Sequence, residues 1–283
     1  MDNTINNKQI DLSPAEKQID EILQQSAFYL QTYRAIDAIR VLDIAQNLIS
    51  NNNVRWQLKS PVFSNVGNAY IQMGKLQDGI EYLIKAYECN EDGNNKAAFA
   101  ITIASYYYRS GDKKKALEYA DKGMETATAL ELKAAGCHIQ GAVAAIENDN
   151  PKAIELFNKA VELSERAHCL SDMAMYILDI SAVYLKMGFP ETALSETYRA
   201  ERYIKECRNL DLYTRCAIRR AKILFLMNRD EEARTLVMAL DNQHNIQLLA
   251  GRQLQRRKLK HFLPSLMLWN KYHHMKINLF CHQ

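Results

Sequence analysis

The stretch FSNVGNAYIQMGKLQDGIEYLIKAY, residues 63–87, decides the fold. Gly67, Tyr70, Gly74, Gly79, Leu83 and Ala86 fall at the intervals of two antiparallel helices packed closely together. Gly67 and Gly79 mark where one helix backbone lies against the other, a contact that only a very small side chain allows. Tyr70 and Leu83 fill the space beside that contact. Gly74 ends the first helix, because a residue without Cβ accepts the left-handed backbone needed there, and Lys75 begins the return.

The pattern recurs along the chain. Equivalents of Gly67 stand at Ser26, Ala104, Gly141, Ser181 and Ala221, so the six copies follow one another at intervals of 41, 37, 37, 40 and 40 residues. Equivalents of Gly79 keep step at Ala38, Ala116, Ala153, Ala193 and Ala233. These residues resemble the tetratricopeptide repeat, whose pattern is small at the eighth position, aromatic at the eleventh, Gly near the fifteenth and small again at the twentieth and twenty-seventh. The family's unit of about 34 residues is shorter than the intervals found, so these copies carry longer helices or longer joints. The resemblance covers most of the chain. It implies an all-α fold, a right-handed superhelical solenoid of about six helical hairpins.

Taken in order, residues 1–12 read as a flexible arm and residues 13–244 as the repeat array. Ser13, Pro14 and Glu16 predict a capped helix start, with Ser13 as cap, Pro14 in the first turn and Glu16 completing a capping box. That helix is expected to run to about Leu30, with residues 34–50 as its partner and Asn51, Asn52 and Asn53 stopping it. Residues 90–95, NEDGNN, are expected to form a polar turn, with the third repeat opening at Lys96. Asn148, Asp149 and Asn150 before Pro151, and Gly188 before Pro190, predict two further corners. The sixth copy, residues 211–240, has Leu224 at the usual aromatic position and is the most diverged. Residues 245–260 read as a basic C-terminal helix through which copies of the chain could associate, and residues 261–283 as a tail outside the repeat.

Composition narrows the function classes. With 48% hydrophobic and 24% charged residues the chain is globular, and its 10 Gly and 5 Pro leave little room for a sheet-rich fold. A formal net charge of +3 implies no general attraction to nucleic acid or to an anionic membrane. The polar N-terminus has no basic and then apolar leader, and no run approaches the ~18 apolar residues of a membrane span, which predicts a cytoplasmic protein. The six cysteines show no CxxC pair and read as scattered thiols of a reducing compartment.

The tetratricopeptide resemblance implies a concave surface lined by the first helix of each repeat, holding an extended peptide or a partner protein. Carried onto this sequence, the lining comprises Ser64, Asn68, Ile101, Ser105, Tyr108, His138, Ala142, Leu178, Ala182, Ile218 and Lys222. Some members grip a terminal carboxylate with Lys, Asn, Asn, Lys and Arg at set positions. Here only Asn68 fits, and Ser64, Thr102, Ala135 and Ile139 stand at the others, so that chaperone-tail function is not expected. Arg215, Arg219 and Arg220, with Lys222, form a basic patch suited to an acidic partner or phosphate, or else a solvated face. The same alternative holds for Arg252, Arg256, Arg257, Lys258 and Lys260. Without interleaved aromatics or a DNA-binding motif, neither run predicts nucleic-acid binding.

His273, His274, Cys281 and His282 are metal-ligand types, but nothing in their surroundings orders them into a site. Cys137 and His138 are adjacent on a helix, so their side chains diverge and do not pair as nucleophile and base. No catalytic constellation, cofactor or metal is expected. The principal expectation is a non-catalytic module for binding a protein or peptide, with a regulatory or sensory role.

Residues 261–274, HFLPSLMLWNKYHH, resemble the opening of the GGDEF (diguanylate cyclase) domain. Leu268 and Asn270 match and Lys271 stands where Arg is usual, whereas Leu263, Ser265, Leu266 and Met267 depart from the pattern. Leu279 replaces the Asp that contacts guanine together with the Asn in that family, and the GGDEF signature occurs nowhere. This resemblance implies a truncated sensory half of a repeat-bearing cyclase; the alternative is an unrelated tail. A further alternative is a peptide-pheromone receptor of the Rap-like type, also built on repeats of this length.

Overall fold

The structure, a computed structural model, describes residues 12–249, with side chains described as far as residue 240. The regular secondary structure among the described residues is entirely helical and falls into six hairpins. They are α1 (Pro14–Gln31) with α2 (Ala35–Asn51), α3 (Trp56–Gln72) with α4 (Leu76–Cys89), and α5 (Gly93–Ser110) with α6 (Lys113–Thr126). There follow α7 (Leu130–Ile146) with α8 (Asn150–Arg166), α9 (Leu170–Lys186) with α10 (Pro190–Cys207), and α11 (Leu210–Leu226) with α12 (Asp230–Leu249).

The predicted capping box closes the start of α1: Ser13 Oγ accepts from the Glu16 N–H, and the Ser13 N–H donates to the Glu16 carboxylate at 3.0 Å. Each hairpin corner passes through one residue in the left-handed region. These residues are Tyr33, Gly74, Gly111, Asn148, Gly188 and Asn228, with φ from 57° to 88°. They recur at the same intervals as the small residues inside the hairpins, so helix length and corner geometry repeat together.

The small residues lie where the pattern requires. Ser26, Ala38, Ala104, Ala116, Ala153, Ser181, Ala193, Ala221 and Ala233 are 0% exposed, and Gly67, Gly79 and Gly141 are buried. A Cβ on Gly67 would sit 2.9 Å from the Gly79 carbonyl oxygen, and one on Gly141 would sit 2.8 Å from the Phe157 ring. Beside the glycine contact, Tyr70 stacks on Tyr82 with ring centres 5.5 Å apart. Tyr107, one repeat on, stacks on Tyr119 at 5.7 Å.

Each second helix packs on the first helix of the next hairpin, which stacks the six units. First helices of neighbouring hairpins also meet directly, α1 with α3, α5 with α7 and α9 with α11. That places the first helices on the short, inner side of the solenoid. Two boundaries differ from expectation. Asp92 accepts from the Asn95 N–H and starts α5 at Gly93, so the turn after α4 is shorter than the polar run suggests. Helix α12 continues unbroken through position 244, where the array was expected to give way to a separate basic helix. The N-terminal arm, most of that basic segment and the tail lie outside the described residues. No described helix is long and apolar enough to cross a membrane.

Candidate peptide-binding face

On the inner face, the first helices α7, α9 and α11 carry a connected set of polar side chains. Asp179, in the middle of α9, lies between the neighbouring first helices. Its Oδ2 is 2.9 Å from His138 Nε2 on α7, and its Oδ1 is 4.0 Å from Arg219 Nη2 on α11. All three side chains are about one quarter exposed, at 25%, 23% and 27%. The His138 ring stacks on Tyr176 with centres 4.7 Å apart and lies 5.5 Å from Phe157, which fixes its plane. Tyr108 on α5 packs against the cores on both sides of it. Burial, reinforced by the charge of Asp179, pushes its phenol upward in pKa. His138, Asp179 and Arg219 thus form a thread across three successive first helices, and Tyr108, on the first helix before them, feels the charge of Asp179.

Electrostatics along the thread follow burial. Desolvation lowers the Arg219 pKa, Asp179 opposes that effect, and nearby Arg215 adds to it. Desolvation raises Asp172, with His138 opposing and Glu131 reinforcing. Tyr176 is raised strongly, by burial first and then by Asp172.

The predicted groove residues divide. Ser64, Asn68, Ser105, Tyr108, His138, Ala182 and Ile218 are partly exposed on first helices, and Lys222 is exposed. Leu178 and Ile101 are corrected: they are 0% and 7% exposed and belong to the core. Ala142 is likewise corrected, being 8% exposed and part of the core. Ile101 fills the space above Gly123, where its Cδ1 would lie 2.8 Å from an added Cβ. One residue along a helix turns the side chain by about 100°, so on α9 Asp179 reaches the inner face and Leu178 does not.

Arg220 also parts from the predicted patch. It is 9% exposed and turned towards α10, where Nη2 donates to Glu201 at 2.8 Å and to the Thr197 carbonyl at 3.2 Å. Its guanidinium lies 4.1 Å over the Tyr198 ring. Arg215 and Arg219, one helical turn apart, are left together on α11.

Asp179 and Asn65 were not among the predicted residues. Both stand two positions before the small residue of their repeat, as does Arg219. The signal was present, since Asp179 is the lone acid in an apolar run between Met173 and Leu185. In the N-terminal half this position is neutral: Asn65 Nδ2 donates to Ser26 Oγ at 3.0 Å.

Two hollows open on the outer side, between successive second helices. One of about 270 Å³ lies between α6 and α8, lined by Leu117, Asp121, Gln140 and Lys152. The other, of about 480 Å³, lies between α10 and α12, lined by Tyr198, Leu224, Glu232 and Leu236. Neither overlaps the thread. Among the described residues no three His, Cys, Asp or Glu side chains gather as a metal site would require.

The family model of the tetratricopeptide repeat matches residues 60–129, the segment that holds the Gly67 and Gly79 contact and the copy after it. The match takes in the hairpins α3–α4 and α5–α6, which have the tetratricopeptide pattern. Among solved structures the helical array is similar to aspartyl phosphate phosphatase F from Bacillus subtilis. That match has 14% identity over 95% of this chain and 71% of that one, with a TM-score of 0.68. It is also similar to NprR in complex with its cognate peptide NprX, at 16% identity over 93% and 76% of the two chains and a TM-score of 0.64. A Rap protein complexed with competence and sporulation factor is similar at 14% identity, over 80% and 76%, with a TM-score of 0.58. Identities this low establish the shared solenoid and nothing finer. No curated protein matches the sequence.

Proposed function

We propose that this chain is a non-catalytic recognition module that binds a peptide or an extended protein segment on its inner face, in a regulatory or sensory role in the cytoplasm. The observation that carries the reading is the thread from His138 through Asp179 to Arg219, with Tyr108 on the first helix before it. A solenoid needs no such polar chain to stack, because its cohesion comes from the buried small and apolar residues. Groups held three-quarters buried by packing, with donor and acceptor capacity left over, are preorganised for a ligand that supplies the missing partners.

Within this reading a peptide-pheromone receptor of the Rap-like type is supported by the likeness in shape to NprR, in complex with its cognate peptide NprX, and to a Rap protein complexed with competence and sporulation factor. The sensory half of a cyclase rests on residues 261–283, outside the described part. Translating the DNA beyond the codon for Gln283 in all three frames tests it, since unrelated sequence there removes its basis.

The groove itself is tested by passing a random octapeptide pool over the immobilised full chain and sequencing what is retained. Tyr108→Ala and Asp179→Ala should each reduce retention at least tenfold while leaving the helical circular-dichroism signal unchanged. Equal retention by both variants would place the site elsewhere.

A further inference from the structure

Arg219 is largely buried, yet its guanidinium makes no hydrogen bond among the described residues, and its ion contact is the 4.0 Å approach to Asp179. Arg215, one turn before it on α11, is half-buried and forms no hydrogen bond or ion pair with a described residue. Two cations at i and i+4 repel one another. Burial disfavours the charge on Arg219, and an anion that accepts from its partly exposed guanidinium would offset that cost. Arg220, next in sequence, shows the contrast: its donors are taken up by Glu201 and Thr197.

Resting on the reading of the inner face as a peptide site, we infer that Arg215 and Arg219 form a carboxylate-binding subsite that fixes one end or one acidic side chain of the bound peptide. A planar guanidinium presents paired N–H groups that match the two oxygens of a carboxylate. Asp179 selects the kind of anion. Its negative charge, 4.0 Å from Arg219, tolerates one further negative charge balanced by two arginines and repels a doubly charged phosphate. Held by His138, Asp179 also fixes the side of Arg219 on which the ligand must lie.

The test uses three probes on the full chain: N-acetyl-trialanine with a free carboxylate, its C-terminal amide, and an N-acetyl-Ala-Asp-Ala amide whose carboxylate is on the side chain. The readout is the shift of arginine Nε–H resonances on titration, with inorganic phosphate as a fourth arm. One or both carboxylate peptides should bind at least tenfold more tightly than the trialanine amide, and which of them does so assigns a peptide terminus or an acidic side chain. Arg219→Gln and Arg215→Gln should each remove that preference, with folding checked by circular dichroism. Equal binding of acid and amide overturns the subsite while leaving the peptide groove standing. Tighter binding of phosphate, or no shift with any probe, also overturns it. Shifts with the carboxylate probes but no capture from the octapeptide pool would keep the subsite and sink the broader peptide reading.

Discussion

Repeats one to three and repeats four to six share a hairpin but are joined differently. In the N-terminal half the joints are closed by side chains that satisfy backbone groups. Glu16 accepts from the Ser13 N–H at the start of α1 and from the Arg55 N–H at the start of α3, and also binds the Arg55 guanidinium at 2.7 Å. Asn94 Oδ1 accepts from the N–H groups of Thr128 and Ala129 ahead of α7. Buried Ser60 donates to the Ala86 carbonyl and accepts from Asn90. The chain leaves α2, α4 and α6 through extended residues, Asn52, Asn90 and Ala127. It leaves α8 and α10 through left-handed His168 and Arg208. There the first helices are bridged by His138, Asp179 and Arg219, whose capacity is not exhausted by one another. Joints that consume their polar groups serve stacking; joints that keep some in reserve leave a surface able to bind.

Alanine at one position in each half gives the largest expected effects. Leu178→Ala removes a fully buried side chain from the C-terminal core and should cost about 2–5 kcal/mol in urea unfolding. Gly67→Ala does the opposite, adding a Cβ 2.9 Å from the Gly79 carbonyl oxygen. Helix propensity favours alanine there by about 1 kcal/mol, yet overpacking against backbone should dominate and destabilise by ~1–3 kcal/mol. A more stable Gly67→Ala protein would mean that the two helices are not in backbone contact.

Acid should affect the two halves unequally. The Arg55 guanidinium, helped by the Ser13 N–H, holds Glu16 at a pKa of about 2. A folded-state pKa below the unfolded value stabilises fully above the ordinary glutamate pKa of about 4.3. That stabilisation is lost as pH falls through the window towards the folded value of about 2. Glu16→Gln should therefore lower Tm at neutral pH and flatten its decline below about pH 4.3, without altering binding at Asp179. The same acid decline in both proteins would show that the joint between α1 and α3 does not depend on this charge.

The uneven legibility of the sequence has the same origin as the difference between the halves. Small residues such as Ser26 and Ala233 report contacts within one hairpin, set by local helix geometry, and the register drawn from them places all twelve in the interior. Corners were legible for the same reason, as at Gly74 and Asn148. The inner face depends on how one hairpin is rotated against the next, which is decided by packing between units far apart in sequence. A turn of one residue separates Leu178 in the core from Asp179 on the surface, and no pattern inside a single repeat distinguishes them. Arg220 was misplaced in the same way, because its partner Glu201 belongs to the preceding hairpin.

The smallest expected effect concerns the corners. Gly occupies three of the six left-handed positions and Asn two, whereas the first repeat uses Tyr33 at φ 59° with 73% of its surface exposed. A left-handed conformation costs a residue with Cβ roughly 1–2 kcal/mol. Glycine avoids that strain but brings about 0.5–1 kcal/mol of extra chain entropy to the unfolded state. Tyr33→Gly should then raise stability by up to ~1 kcal/mol, because so exposed a ring has little burial to lose. Asn148→Gly and Asn228→Gly should gain less, since asparagine already tolerates this region. Thermal unfolding of the three variants orders them. A gain at either Asn corner as large as at Tyr33 would show that the first corner is no more strained than those of the C-terminal half, and that its tyrosine is held by packing rather than merely accommodated.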